Sequence, residues 1–111
     1  KVYAITEAGR QALAKAISVV PAKDKYRSEF LFQMLLQDYL SPEMMLVAIQ
    51  KQLNDLNEDL GRIAECSQKT PVGHGSHFVA DYGNAVLTAA VKCLEYKKAE
   101  LVQHMAARAA E

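Results

Sequence analysis

The chain has 111 residues, of which 13 are basic and 13 acidic, so its formal net charge is zero. This balance argues against a strong electrostatic surface for nucleic acid within the chain itself. Glycine and proline are scarce, and long windows are rich in Ala, Leu, Glu, Lys and Gln, which favours an all-α fold. No apolar run reaches the roughly 18 residues of a membrane span and no signal-peptide pattern is found, so we expect no membrane contact and a cytoplasmic location.

Residues 1–5 alternate between two side-chain faces and include two β-branched residues and a tyrosine, which is typical of a strand. One short strand is not stable alone, so we expect it to pair with a segment outside this sequence. Thr6 is predicted to cap a first helix over residues 7–19. Pro21 is expected to end that helix, because the residue before a proline is pushed out of the α region.

A second helix is predicted over residues 25–39. Its apolar residues surround much of the circumference, so we expect it to be the most buried element. Ser41, Pro42 and Glu43 then form a clear helix start, with a cap, a proline at the first helical position and an acid in the first turn. The third helix is predicted from Pro42 to about Cys66.

The third helix carries one narrow apolar seam whose steps are 3, 4, 3, 4 and 3, as in the a and d positions of a heptad. The positions between are almost all polar, so the pattern predicts a helix that lies along another helix. The seam residues are Leu46, Ile49, Leu53, Leu56, Leu60 and Ile63.

A fourth helix is predicted over residues 77–107, after a loop over residues 67–76. Its apolar residues spread over about half of the helix circumference. This face is wider than the narrow seam of the third helix can cover. We therefore expect a long antiparallel helical hairpin, together with shorter helices and the N-terminal strand. We also expect a second copy of the chain to cover the apolar face of the fourth helix that the hairpin leaves exposed. The residues assigned to this dimer interface are Phe78, Val79, Tyr82, Val86, Leu87, Ala90, Leu94 and Leu101.

The opening residues Tyr3-Ala4-Ile5-Thr6-Glu7-Ala8-Gly9-Arg10 resemble the YxLTxxGR signature that closes a winged-helix domain in the PadR and MarR families. Ile5 stands where leucine is usual. The later segments resemble the C-terminal region of PadR regulators, and its virulence-activator branch in particular. These segments are Glu29-Phe30-Leu31, Leu40-Ser41-Pro42-Glu43, Phe78-Val79-Ala80-Asp81-Tyr82-Gly83 and Leu94-Glu95-Tyr96.

This resemblance implies that residues 1–6 are the last wing strand of an absent winged-helix domain and residues 7–111 a helical C-terminal dimerisation domain. It implies a homodimeric bacterial transcription regulator that reaches DNA only through the missing domain. The recognition helix is not in this sequence, so no base-reading residue is assigned, and Lys1, Arg10 and Lys15 are candidate contacts to the DNA backbone. The alternatives are a MarR-like regulator fragment and a stand-alone helical scaffold or adaptor without a link to DNA.

No enzymatic motif is found: the sequence has no nucleophile elbow, P-loop or dinucleotide fingerprint, so we expect neither an enzyme nor a cofactor. His74 and His77 match no metal-ligand spacing, and no metal site is assigned. Cys66 and Cys93 are expected to be free thiols. A set of methionines and aromatics could line an effector pocket or simply form core, which leaves a small-molecule effector open. These residues are Phe30, Phe32, Met34, Tyr39, Met44 and Met45.

Overall fold

A computed structural model of the chain describes residues 3–69 and 73–110, and every element within these ranges is helical, which confirms the all-α prediction. None of these helices is long and apolar enough to cross a membrane. The elements are α1 (Glu7–Ile17), α2 (Glu29–Leu35), a 3-10 helix (Gln37–Tyr39), α3 (Pro42–Lys69) and α4 (His74–Ala109).

The strand expected at the N-terminus is not formed by residues 3–6, while residues 1 and 2 lie outside the described part. A strand needs a neighbouring strand to bind its backbone groups, and the described ranges contain none. The helix that follows begins as expected, since the side chain of Thr6 accepts a hydrogen bond of 3.0 Å from the amide of Gly9. This bond satisfies one of the free amides at the start of α1.

Helix α1 packs little against the rest of the described chain. All of its residues except Gly9 are exposed, and residues 18–28 form no helix or strand. The helix ends at Ile17, two residues earlier than predicted, where the hydroxyl of Ser18 donates a hydrogen bond to the carbonyl of Ala14. The following segment therefore connects α1 to the other helices without a core of its own.

Helix α2 is shorter and more exposed than predicted. The side chain of Ser28 accepts a hydrogen bond of 3.1 Å from the amide of Leu31 and so begins the helix four residues later than expected. No residue of α2 is buried, and only Phe30 and Met34 pack against the core. The prediction that this is the most buried element is wrong, because the helix is seven residues long and packs mainly on α3.

The long helices α3 and α4 hold the core. Near the start of α3, Gln50 accepts a hydrogen bond from Lys98, which lies in the second half of α4. Near the other end of α3, Ile63 lies against Gly83 in the first third of α4. The two helices therefore run in opposite directions. The buried residues are Ile49, Leu53 and Leu56 on α3 and Val91 on α4.

The molecule is elongated, with extents of 72 × 31 × 24 Å and a radius of gyration of 20.6 Å. A compact domain of 111 residues has a radius of gyration of about 13 Å. The accessible surface is 9704 Å², whereas the scaling of surface with mass gives about 6100 Å² for a compact chain of 12.3 kDa. A single copy thus exposes far more surface than a compact monomer.

Candidate helical interface

The α3 seam lies on the side of that helix that faces α4. Ile49, Leu53 and Leu56 are buried, with exposed fractions of 4%, 5% and 9%. The other three positions of the seam are half-buried, namely Leu46, Leu60 and Ile63. In this structure the seam therefore packs against other helices of the same chain.

The opposite side of α3 is solvated and carries short-range ion pairs. Lys51 binds Asp55 at 2.8 Å and Arg62 binds Glu58 at 2.5 Å, each one helical turn away. The hydrogen bond that Lys51 donates to Asp55 raises the pKa of Lys51, and the negative charge of Asp55 adds to this effect. These exposed pairs contribute little to stability. The first turns of α3 also expose Met44 and Val47 on this side.

Half of the residues assigned to the dimer interface pack against the core of their own chain instead. Four residues of α4 contact the buried cluster: Leu87, Ala90, Leu94 and Leu101. They recur at steps of 3, 4 and 7, which keeps them on one side of the helix. Within a single copy, this side of α4 is already covered by α3.

The other half of the assigned residues is exposed. Phe78, Val79 and Tyr82 have exposed fractions of 75%, 71% and 65%, and Val86 is 49% exposed. These side chains lie on the first half of α4, in a region where α3 does not cover them. Large apolar side chains grouped in this way are typical of a surface that contacts another molecule.

Three further residues continue this exposed face and were missed in the sequence analysis. Ala89, Cys93 and Tyr96 are all exposed and extend it along α4. The six positions then follow steps of 3, 4, 3, 4 and 3, so a second heptad search on α4 could have found them. We call this set the outer stripe: Val79, Tyr82, Val86, Ala89, Cys93 and Tyr96.

The outer stripe and the side of α4 that contacts α3 are separate surfaces. With a rotation of about 100° per residue, the centres of these two surfaces also lie about 100° apart around the helix. The broad apolar face expected for α4 thus consists of two narrow ones. One packs against α3 within the chain, and the other is exposed, although its residue Cys93 also lines a groove between α2, α3 and α4.

An open groove lies between α2, the start of α3 and the second half of α4, with a volume of about 850 Å³. Phe30, Met34 and Met45 line it, while Phe32, Tyr39 and Met44 do not and are exposed. The polar residues of its lining come from both sides: Gln37, Asp38, Lys97, Glu100, His104 and Arg108. The groove therefore combines apolar walls with side chains of both charges.

The candidate DNA contacts are not brought together. Arg10 and Lys15 are exposed on α1 but lie five residues apart, on different sides of the helix, and Lys1 is outside the described residues. Cys66 and Cys93 are free and exposed. Within residues 3–69 and 73–110, no three His, Cys, Asp or Glu side chains group as metal ligands would.

The fold was compared with solved structures. The PadR-like transcriptional regulator BC1756 from Bacillus cereus superposes with a TM-score of 0.82 and 22% identity, over 90% of this chain and 62% of that one. The protein smu.1604c from Streptococcus mutans UA159 superposes with a TM-score of 0.75 and 24% identity, over 87% of this chain and 59% of that one. No family model and no curated protein matches the chain.

The chain spans about three fifths of the length of these two structures. At this level of identity the likeness concerns the arrangement of the helices. It also covers nearly all of the chain, including the region of α1 to α4. The chain therefore shares the fold of a large part of a PadR-like transcriptional regulator.

Proposed function

We propose that this chain is the helical dimerisation region of a bacterial DNA-binding transcriptional regulator of the PadR type, which acts as a homodimer in the cytoplasm. Residues 1–6 would end a winged-helix domain, and residues 7–111 would form the dimerisation domain. The observation that carries this proposal is the superposition on BC1756 over 90% of the chain. The MarR-like and scaffold alternatives have no comparable support.

The surface of the isolated chain supports a dimer. Large apolar side chains on α1, α2 and α4 are exposed, among them Leu13, Leu35 and Tyr82. Exposure of this extent is unfavourable in water, since burial of apolar surface is worth about 25 cal/mol per Å². A second copy of the chain would cover such surface by closed symmetry.

The proposed link to DNA runs through the winged-helix domain. This chain has a net charge of zero, and contacts from basic side chains to phosphates supply most non-specific affinity for DNA. The α1 cations Arg10 and Lys15 point to different sides and offer no continuous basic surface. We therefore expect DNA recognition to need the longer protein.

Two measurements test the proposal. Sedimentation equilibrium of the chain at micromolar concentration should give a dimer, and a monomer across that range would contradict it. A mobility-shift assay with genomic fragments should show a specific operator only for a protein in which this region is joined to a winged-helix domain. If the chain alone bound one operator selectively at low salt, the assignment of DNA recognition to the winged-helix domain would be wrong.

We further propose that the groove between α2, α3 and α4 holds a small-molecule effector. Its volume of about 850 Å³ lies within the range of about 300–1,000 Å³ that is usual for ligand sites. Methyl-labelled methionines give a direct test with an amphipathic aromatic anion as the probe. The methyl signals of Met34 and Met45 should shift on titration, whereas Met44, which is outside the lining, should not; equal shifts at all three would refute a site in the groove.

A further inference from the structure

We infer that the segment between α1 and α2 contacts the phosphate backbone of DNA through Lys23, Lys25 and Arg27, without regard to base sequence. The inference rests on the proposed regulator function and adds a second surface to the DNA contact expected of the winged-helix domain. We call residues 23–27 the basic segment.

Charge is distributed unevenly along the chain, although the net charge is zero. Residues 8–28 carry five basic side chains and one acidic side chain, whereas residues 29–111 carry seven basic and eleven acidic ones. The first stretch therefore has a formal charge of +4 and the second a formal charge of −4. A basic stretch beside an acidic remainder is typical of a chain that contacts a polyanion with one of its parts.

The cations of the basic segment are exposed and have no acidic partner among residues 3–69 and 73–110. The long helices differ in this respect. Lys51, Arg62 and Lys97 bind carboxylates of their own helix at 2.8, 2.5 and 3.5 Å. A phosphate that approaches the basic segment therefore meets free ammonium and guanidinium groups, and no ion pair within the chain has to be broken first.

The backbone of the basic segment is open to the same contact. Residues 20–28 form no helix, strand, turn or bend, and the backbone hydrogen bonds between described residues do not involve residues 20–27. These amides are therefore free to donate to phosphate oxygens, as backbone amides often do in protein–DNA contacts. The hydroxyl of Tyr26, whose side chain is 81% exposed, is a further donor of this kind.

The spacing of the three cations suits a repeating row of phosphates. Lys23, Lys25 and Arg27 are two residues apart, which in an extended chain places side chains on one side and Asp24 on the other. Over four residues such a chain spans about 13 Å. One DNA strand presents about four phosphates along a helix axis of that length. Three phosphates are therefore within reach of one basic segment.

The place of the basic segment in the chain favours DNA over other polyanions. Only α1, which is 11 residues and about 16 Å long, and a short connection separate it from Thr6, where the proposed winged-helix domain would end. The remainder of the chain is acidic, and its exposed carboxylates on α3, such as Asp55 and Glu58, would be repelled by DNA. Contact with DNA would therefore be confined to the basic end of the chain.

The salt dependence of DNA binding by the full chain tests the inference. A fluorescently labelled duplex of mixed sequence is titrated at several salt concentrations, and binding is followed by anisotropy. Three neutralised phosphates give a slope of about −2.7 for log Kobs against log [salt]. The basic-segment variant, Lys23→Gln/Lys25→Gln/Arg27→Gln, should bind at least about tenfold more weakly at the lowest salt concentration and have a slope near zero. An unchanged slope would overturn the inference.

Two matched variants separate position from net charge. The control variant removes three cations from exposed ion pairs instead, through Lys51→Gln, Arg62→Gln and Lys97→Gln. It has the same net charge as the basic-segment variant, but its affinity should change less than about threefold, because charges further than about 10 Å from the DNA are screened. Equal losses in the two variants would show that only net charge matters and would overturn the inference. Circular dichroism should show both variants helical.

A third variant keeps the charge of the basic segment. Lys23→Arg/Lys25→Arg/Arg27→Lys should retain the affinity and the slope, because phosphate contacts of this kind need a cation and not a particular side chain. Loss of binding in this variant would contradict a contact made by charge alone.

The same variants distinguish this inference from the proposed function. In a protein that joins this region to a winged-helix domain, the basic-segment variant should weaken operator and non-operator DNA alike and leave their ratio unchanged. If that protein is dimeric and selects an operator, but the variant does not alter its affinity, the inference is wrong and the proposed function stands. If the variant instead loses binding to phosphatidylglycerol vesicles while its duplex affinity is unchanged, the basic segment contacts a membrane and the inference is likewise wrong.

Discussion

Lys98 on α4 donates a hydrogen bond of 2.6 Å from Nζ to Oε1 of Gln50 on α3. The pair is partly buried and joins positions 48 residues apart in the chain. It differs in this respect from the ion pairs on α3, which join residues one turn apart. The bond holds the second half of α4 in register with the start of α3.

We expect Lys98→Met to lower the free energy of unfolding by about 1–2 kcal/mol, because it removes a charge-assisted hydrogen bond and leaves the Gln50 carbonyl without its donor. Lys51→Met is the matched control, since its pair with Asp55 is exposed and local. Urea denaturation at equal protein concentration should show a clear loss for Lys98→Met and a smaller one for the control. The reverse order would contradict the proposed role of the bond.

Leu53→Ala should lower the free energy of unfolding by about 2–5 kcal/mol, since it removes a buried side chain and leaves a cavity between α3 and α4. Leu53 is 5% exposed, whereas Val47 on the opposite side of the same helix is 62% exposed. Val47→Ala also shortens an apolar side chain, but at the surface, and should cost less than about 0.5 kcal/mol. Thermal and urea unfolding of both variants check this, and similar losses would argue against the described core.

Gly61 and Gly83 should respond differently to alanine. A Cβ on Gly61 would meet no atom within 4 Å, so Gly61→Ala should stabilise α3 by about 0.5–1 kcal/mol through helix propensity. A Cβ on Gly83 would lie 3.2 Å from Cδ1 of Ile63, so that side chain must move. Gly83→Ala should therefore raise the melting temperature less than Gly61→Ala does. A larger rise for Gly83→Ala would mean that α3 and α4 are further apart at this point.

Thr6→Ala should weaken α1 without affecting the α3–α4 core. It removes the side-chain cap on the Gly9 amide, a change that usually costs about 1 kcal/mol of helix stability. Hydrogen exchange should accelerate at the amides of Gly9 and Arg10, while exchange in α3 stays constant. Thr6→Ser keeps the hydroxyl and is the control. Faster exchange throughout α3 would show that α1 is coupled to the core.

The sequence features whose predictions the structure confirms are local ones. The Ser41-Pro42-Glu43 start places the first residue of α3 at Pro42, because a cap and a fixed φ act within a single turn. Thr6 begins α1 for the same reason. Composition also settles the helical class, since few glycines and prolines interrupt long runs of strong helix formers.

Other features depend on which groups meet in space. Nothing local shows that α2 has no buried residue or that residues 3–6 form no strand, because strand pairing and helix burial need partners distant in sequence. The broad apolar face of α4 is visible in the sequence, but the part of it that α3 covers is not: Leu87 and Leu94 pack on the core, whereas Tyr82 and Val86 are exposed. The sequence by itself determined the helices and their apolar positions through local propensity and periodicity; only the tertiary structure decided which apolar positions α3 covers, because burial is a property of two surfaces in contact.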